Sequence, residues 1–414
     1  MCGLIAYSGN EIPKKLLLKA HESMSYRGLA QSDCQNAVLS DNFFIAHNTL
    51  PLVTKDNTIY HQPNLKLNSQ SFYAFTGEIF NFKDIDPKAK TDTELFQGEI
   101  DFEIVHKFDG FWNYVEVNEK ALVGFNDFLS IKPLYYRTDL NILASEPYAL
   151  SLVKDTHVDR VFMSNVRKWG YSPDNRTQWE EIKQLPPGCI YINGEVTKYW
   201  EWDLIQFDSD LITLIRNSVE LRTRGIGKMA MLLSGGLDSS LIYSLIDKSK
   251  VKAFHVANGE HGFAKLMDPN VEELSLDSFD KETCLKIHQS PVDLGSVIPQ
   301  VAMAKAVHDQ GYNVIITGDG ADELFGGYKR AKLYDSQMSD VFVELPYYHL
   351  PKLDRINMAY TIECRSPFLA PSIIKYAMLL PYEYRTEKQA LKLAANGFVP
   401  DEILNRSKMP LRSF

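Results

Sequence analysis

Hydrophobic and polar positions follow two different rhythms along the chain. Over roughly the first 190 residues the apolar positions come in short runs between turn residues, at 2–7, 43–47, 72–75, 114–117, 121–125, 141–145 and 189–192. Runs of this length, rich in β-branched and aromatic residues, predict strands, and their spacing predicts stacked antiparallel sheets. One helical period interrupts them. Leu16, Leu17, Ala20 and Met24 share a face of a helix expected over 13–24, with Pro13 near its start. One or two such helices would cover the sheets.

The rhythm changes after residues 198–202. Helix 210–223, strand 229–233, helix 237–247, strand 252–256, helix 281–288 and strand 314–317 are expected in turn. This alternation implies a parallel sheet flanked by helices. The chain therefore reads as an α+β domain followed by an α/β domain, over 2–200 and 205–414, with the boundary between about 198 and 209. It contains no internal repeat and no low-complexity tract.

Composition fits two cores, since 414 residues at 45% hydrophobic content exceed one ordinary core. The apolar runs 229–233 and 314–316 fall far short of the roughly 18 to 20 residues of a membrane helix, so no membrane partner is expected. The N-terminus, Met-Cys-Gly-Leu-Ile-Ala-Tyr, lacks the basic start and cleavage site of a secretory signal. Five cysteines, at 2, 34, 189, 284 and 364, form no C-x-x-C pair. A reducing, cytoplasmic setting is expected. A net charge of -9 without a Lys/Arg cluster argues against nucleic acid as partner. His47 and His255 read as structural rather than metal-ligating. Formation of a homodimer is left open.

Candidate chemistry begins at Met229-Ala-Met-Leu-Leu233, apolar at every position as a strand buried on both faces would be, which runs into Ser234-Gly235-Gly236. An anion site at the strand's C-terminal end follows. The glycines let backbone N–H groups approach an oxyanion, and Ser234, Ser239 and Ser240 can add hydroxyl donors. Leu237, Leu241, Ile242, Leu245 and Ile246 form one stripe of the next helix, whose N-terminus favours negative charge. Asp238 would repel phosphate unless a cation intervenes, so it reads as a Mg²⁺ ligand, the plain alternative being a helix-capping Asp. The Gly-Lys-Ser/Thr ending of a Walker A loop is absent.

A second buried strand, Val314-Ile-Ile-Thr317, ends in Gly318-Asp319-Gly320-Ala321-Asp322-Glu323 and then Gly326-Gly327-Tyr328. Asp238 and Asp322 sharing one Mg²⁺ on ATP phosphates would relieve the charge at both loops. S-G-G-L-D-S-S followed by G-D-G-A-D-E-L-F-G-G-Y resembles the synthetase domain of asparagine synthetases. Glu363-Cys-Arg365-Ser-Pro367-Phe-Leu369 is similar to the family's E-x-R-x-P-F-L-D, with Ala370 in place of the last Asp, and Lys388 precedes a helix as the family's catalytic lysine does. The resemblance implies a PP-loop ATP pyrophosphatase domain that cleaves ATP to AMP and pyrophosphate through an acyl-adenylate. It implies that Leu233, Val256, Thr317 and Gly318 touch the nucleotide with the loop residues. It also implies that Asp319 stands for a glutamate of the adenylation step, and that Glu363 and Lys388 serve catalysis.

At the other end, removal of Met1 would expose an α-amine beside the Cys2 thiol, and an amine titrating near neutrality can act as a local base. Alone, a Cys in an apolar strand is more often a small buried hydrophobe. Its surroundings alter that reading. Cys2-Gly3, Tyr26-Arg27-Gly28, Ala46-His47, Gly77-Glu78-Ile79-Phe80-Asn81, Thr91-Asp92-Thr93-Glu94 and Ala144-Ser145-Glu146 resemble class II glutamine amidotransferases in residues and order. That family implies an N-terminal-nucleophile αββα sandwich with Cys2 as nucleophile and Thr49, Val53, Thr76, Gly77, Glu78 and Asp92 around glutamine. Two positions depart from it. Thr49 stands where an Arg grips the glutamine carboxylate, and Thr76 where an Asn supplies an oxyanion donor whose loss typically costs on the order of 100- to 1000-fold in rate.

Three readings result. In the first, L-aspartate is adenylated with ATP and Mg²⁺, and ammonia released from glutamine at Cys2 travels internally to give L-asparagine. In the second, a different carboxylate is adenylated or ammonia is used directly. The third is a non-enzymatic nucleotide or amino-acid sensor.

Overall fold

The computed structural model describes residues 2–28, 35–50, 52, 61–67, 69–204, 209–225, 228–256, 261–291, 294–328 and 338–406. The chain divides into two units. One takes in Met1–Glu201, Leu285–Asp293 and Pro346–Thr361, the other Trp202–Cys284, Leu294–Leu345 and Ile362–Phe414.

The first unit holds β1 (Gly3–Ser8), β2 (Gln35–Leu39), β3 (Phe43–Asn48), β4 (Asn64–Leu65), β5 (Phe72–Ile79), β6 (Gly110–Val117) and β7 (Leu122–Asn126). It continues with β8 (Tyr135–Arg137), β9 (Ile142–Ala144), β10 (Ile182–Gln184), β11 (Cys189–Ile192) and β12 (Glu195–Lys198). They form two 6-stranded sheets, ordered β10-β8-β9-β1-β3-β2 and β12-β11-β7-β6-β5-β4. Because side chains alternate across a strand, β1 feeds two cores. Leu4 and Ala6 meet Ala74, Val115, Val117 and Leu122 of the facing sheet. Ile5 and Tyr7 meet Leu17 and Ala20 of α1 (Lys14–Glu22) and Ala149 and Leu150 of α2 (Pro147–Ser151). The outer face of the second sheet carries Phe75, Tyr114 and Phe125, whose rings cluster with Phe96 of the helical turn Asp92–Phe96. The layering is the expected αββα.

Strand β5 is longer than its apolar run, because cross-strand pairing carries it through Thr76, Gly77 and Glu78 opposite Asn113, Trp112 and Phe111 of β6. Pairing with a neighbour, rather than an apolar period, makes this segment a strand.

The second unit is built on five parallel strands, ordered β15-β14-β13-β16-β17. They are β13 (Met229–Leu232), β14 (Val251–Val256), β15 (Glu272–Leu274), β16 (Val314–Ile316) and β17 (Glu363–Arg365). Helix α3 (Leu211–Arg222) starts at Asp210, whose carboxylate accepts from Thr213 N at 3.0 Å, an N-cap. Helix α4 (Leu237–Leu245) follows β13 and stops before Ile246, which is extended at ψ 142°, so the expected continuation to 247 does not form. Among the described residues no helix is long and apolar enough to cross a membrane.

Candidate active site

Cys2 sits at the start of β1, 8% exposed, and its Sγ accepts from Leu50 N at 3.4 Å. The pairing Gly3↔Asn48 brings it there, since the residue before Gly3 then lies beside the end of β3. The backbone around the thiol is fixed from behind. Arg27 Nε donates to Cys2 O at 3.1 Å, and Leu4 N donates to Ser145 Oγ at 3.0 Å. Arg27 itself is 2% exposed and ion-paired with Glu146 and, at 2.7 Å, with Asp354, which also pairs with Lys132. Tyr26-Arg27 and Ser145-Glu146 thus act by holding the start of β1.

His47 connects this end of β3 to β5. Its Nε2 lies 3.1 Å from Phe75 O, which can only accept, so Nε2 carries the proton and donates. Nδ1 must then accept, from the Thr49 hydroxyl at 2.8 Å. Complete burial holds the imidazole pKa down to about 3, which keeps it neutral. Thr49 therefore lies next to the thiol's loop with its hydroxyl directed to His47. Thr76 and Glu78 are buried in β5, and Gly77 between them takes φ 134°, where an added Cβ would overlap Phe111 O. Asp92, also buried, accepts from Ile79 N at 3.0 Å and so closes onto the end of β5. Val53 lies outside the described residues.

In the second unit the loop after β13 is wound around the Ser234 hydroxyl. It accepts from Gly236 N at 3.2 Å and meets Ser239 Oγ at 2.9 Å, while Gly235 turns at φ 71°. Leu233 extends the sheet pairing, donating to Phe254 O at 2.7 Å and accepting from His255 Nδ1 at 2.9 Å. Val256 ends the adjacent strand β14. Gly236 stands at the N-cap of α4, so the helix's unpaired N–H groups open beside the loop. Ser240, in the first turn of α4, is fully buried.

The loop after β16 closes on the same place. A Cβ on Gly318 would stand 3.1 Å from Asp238 Cβ, so the two loops are in contact there. Thr317 Oγ1 lies 2.9 Å from Ser366 Oγ, and Asp319 is half-buried in the turn before the helix Ala321–Leu324. Lys388 Nζ reaches between the loops, 2.5 Å from Asp238 Oδ2 and 2.6 Å from Asp322 Oδ1. Burial disfavours its charge, but the two carboxylates outweigh that and raise its pKa, so the ammonium persists.

Glu363 is not brought to this cluster. It aligns with Val314, the first residue of β16, whereas the loops follow the strands' other ends. Its carboxylate pairs with Arg365 Nε at 2.6 Å, and Arg365 donates to Arg222 O and Arg224 O at the end of α3. The pair ties the end of α3 to the sheet. Conversely, Arg406 was not singled out by any pattern, yet its Nη1 donates to Gly235 O at 2.9 Å and its guanidinium lies 4.4 Å over Phe263. A lone arginine near the end of a chain carries no periodic or motif signal.

Two families match the chain in succession. Residues 1–200 match the glutamine amidotransferase domain, and residues 210–343 and 330–413 match asparagine synthase. The chain belongs to the asparagine synthetase family. It is 22% identical to the asparagine synthetase [glutamine-hydrolyzing] 1 of Bacillus subtilis, covering 81% of this chain and 74% of that one. It is 21% identical to the asparagine synthetase [glutamine-hydrolyzing] of Zea mays, covering 99% and 77%, and 24% identical to enzyme 3 of Arabidopsis thaliana, covering 99% and 78%. As a member of an asparagine synthetase family of ligases, the chain is an enzyme.

What this family member could hold at the second site follows from its donors. Among the described residues no three His, Cys, Asp or Glu side chains gather as a metal cage. Asp238 and Asp322, which both touch the Lys388 ammonium, suit Mg²⁺. That ion keeps several waters and is ordinarily bound by one or two carboxylates plus substrate phosphates.

Proposed function

We propose that this chain makes L-asparagine from L-aspartate, ATP and glutamine. In the second unit an aspartate carboxylate oxygen attacks the α-phosphorus of ATP, pyrophosphate leaves, and β-aspartyl-AMP forms. Backbone N–H groups at Gly235, Gly236 and the start of α4, with the Ser234 and Ser239 hydroxyls, would hold the leaving pyrophosphate. Asp238 and Asp322 would hold Mg²⁺, which when bound neutralises charge on the phosphates. In the first unit Cys2 Sγ attacks the glutamine amide carbon, the α-amine takes the thiol proton and passes it to the leaving nitrogen, ammonia departs from the tetrahedral intermediate, and water hydrolyses the resulting thioester to glutamate. Gly77 N–H and Asp92 stand for the oxyanion donor and the anchor of the substrate amine. Ammonia attacks the aspartyl carbonyl carbon and AMP leaves. The observation that carries this reading is the meeting of Asp238, Asp322 and Lys388 at the loop that ends β13.

The test is to incubate the chain with Mg-ATP, aspartate and either glutamine or ammonium, following pyrophosphate and asparagine. Both products are expected with either donor, and absence of pyrophosphate under both conditions would rule the reading out. Cys2→Ala is expected to abolish asparagine from glutamine and to spare asparagine from ammonium. A second reading, direct use of ammonia, is favoured by the Thr49 hydroxyl, which is directed to His47 where a carboxylate clamp is expected. It predicts equal turnover of wild type and Cys2→Ala on ammonium, and no measurable glutamate from glutamine in the wild type.

A further inference from the structure

Lys388 is held by more than its ion pairs. It takes φ 57° directly after Glu387 at φ 50°, two consecutive non-glycine residues in the left-handed region. Such a pair persists only where the surroundings impose it. Here Glu387 N donates to Gly326 O at 3.1 Å and Lys388 N to Phe325 O at 2.8 Å, so the backbone is docked onto the loop that carries Asp322. Gly327 N donates to Asp322 O at 2.8 Å, and a Cβ on Gly327 would overlap Asp322 Oδ1 and stand 2.5 Å from Lys388 Cε. Gly327 therefore leaves the passage through which the lysine stem reaches the two carboxylates. All of these residues lie in the second unit.

The oxygens that Lys388 touches are those a divalent cation would use. A dication brings two positive charges to these oxygens where the ammonium brings one, which favours exchange. We propose that Lys388 is a tethered counterion that a divalent cation displaces from Asp238 and Asp322, releasing the ammonium to the anionic group held at the loop after β13. Its backbone stays docked through Phe325 and Gly326, so only the four-carbon stem moves and the positive charge remains within the site. The lysine thus becomes available to substrate only after the metal is seated. This deepens the proposed function and rests on it only for the identity of the nucleotide and acid.

The experiment uses the full chain, stripped of divalent ions and titrated with Mn²⁺ in the absence of nucleotide, with bound ion followed by electron paramagnetic resonance. Lys388→Met removes the competing cation, so Mn²⁺ affinity is expected to rise about tenfold, because the site is no longer occupied by its own lysine. Lys388→Arg, which keeps a cation, should not tighten binding. On the wild type, acetic anhydride labelling read by mass spectrometry should increase several-fold at Lys388 when Mn²⁺ saturates, while Lys392 stays constant. Mn²⁺ binding to Lys388→Met no tighter than to wild type, or unchanged labelling at saturation, overturns the proposal, and the labelling arm needs no variant to fold. Pyrophosphate formation with Mn²⁺ affinity indifferent to Lys388 defeats this inference alone. Lysine displacement without aspartate-dependent pyrophosphate defeats the assignment of aspartate instead.

Discussion

At the scale of single residues, the first unit's site depends on small groups whose contacts leave no room for substitution. The Thr49 hydroxyl supplies the hydrogen that satisfies buried His47 Nδ1. Thr49→Val should leave that nitrogen without a donor and lower stability by about 1–3 kcal/mol, read from urea unfolding. Gly77 is constrained by its φ of 134° and by the Phe111 carbonyl against which a Cβ would press. Gly77→Ala should therefore cost more than about 1 kcal/mol and lower the melting temperature, because strain and overlap add. In the sequence Cys2, Gly77, Asp92, Asp238 and Asp322 stand out because each lies inside a short pattern. Glu363 stands inside such a pattern as well. A motif does not say which end of a strand a carboxylate occupies, and pairing with β16 puts Glu363 level with Val314.

At the scale of elements, strand β1 is positioned by buried charge. Arg27 donates to Cys2 O and pairs with Glu146 and Asp354, while Lys132 shares Asp354. Burial works against the Asp354 carboxylate, but Arg27 and Lys132 outweigh it and hold its pKa down to about 2. Asp354→Ala leaves two cations buried without that partner and should destabilise the first unit by about 3–5 kcal/mol in denaturant unfolding. It should also reduce glutamine hydrolysis beyond any loss in ammonium-dependent turnover, since the Cys2 carbonyl loses its fixed donor. Asp354 lies in the helix Leu350–Ala359, which belongs to the first unit although more than 140 residues of chain separate it from β12. No local pattern could assign it there. Edge strands β15 and β17 were hidden similarly, because Glu272-Glu273-Leu274 and Glu363-Cys364-Arg365 have no apolar period and become strands only by pairing with β14 and β16.

At the scale of the whole molecule, two fully buried histidines make stability depend on pH. Burial holds both His47 and His288 down to about 3, against an ordinary value of 6.5. The unfolded chain therefore takes up protons below pH 6.5 that the folded chain refuses. The stability these groups contribute is complete above pH 6.5 and is lost progressively as pH falls toward 3. At pH 5 the loss should be about 2 kcal/mol for each histidine, seen as a fall in the urea midpoint between pH 7 and pH 5. A midpoint unchanged over that range would show that neither histidine is held neutral. What the sequence determined by itself was the succession of an antiparallel β-rich half and an alternating half, with glycine-rich turns at the ends of buried strands. Side-chain periodicity is a local consequence of burying one or both faces of an element, so it survives in one dimension. The tertiary structure alone decided which late segments join the first unit, that Arg406 meets the loop at Gly235, and that Lys388 stands between Asp238, 150 positions away, and Asp322. Charge pairing is set by distance in space, and the spacing of residues along the chain does not contain it.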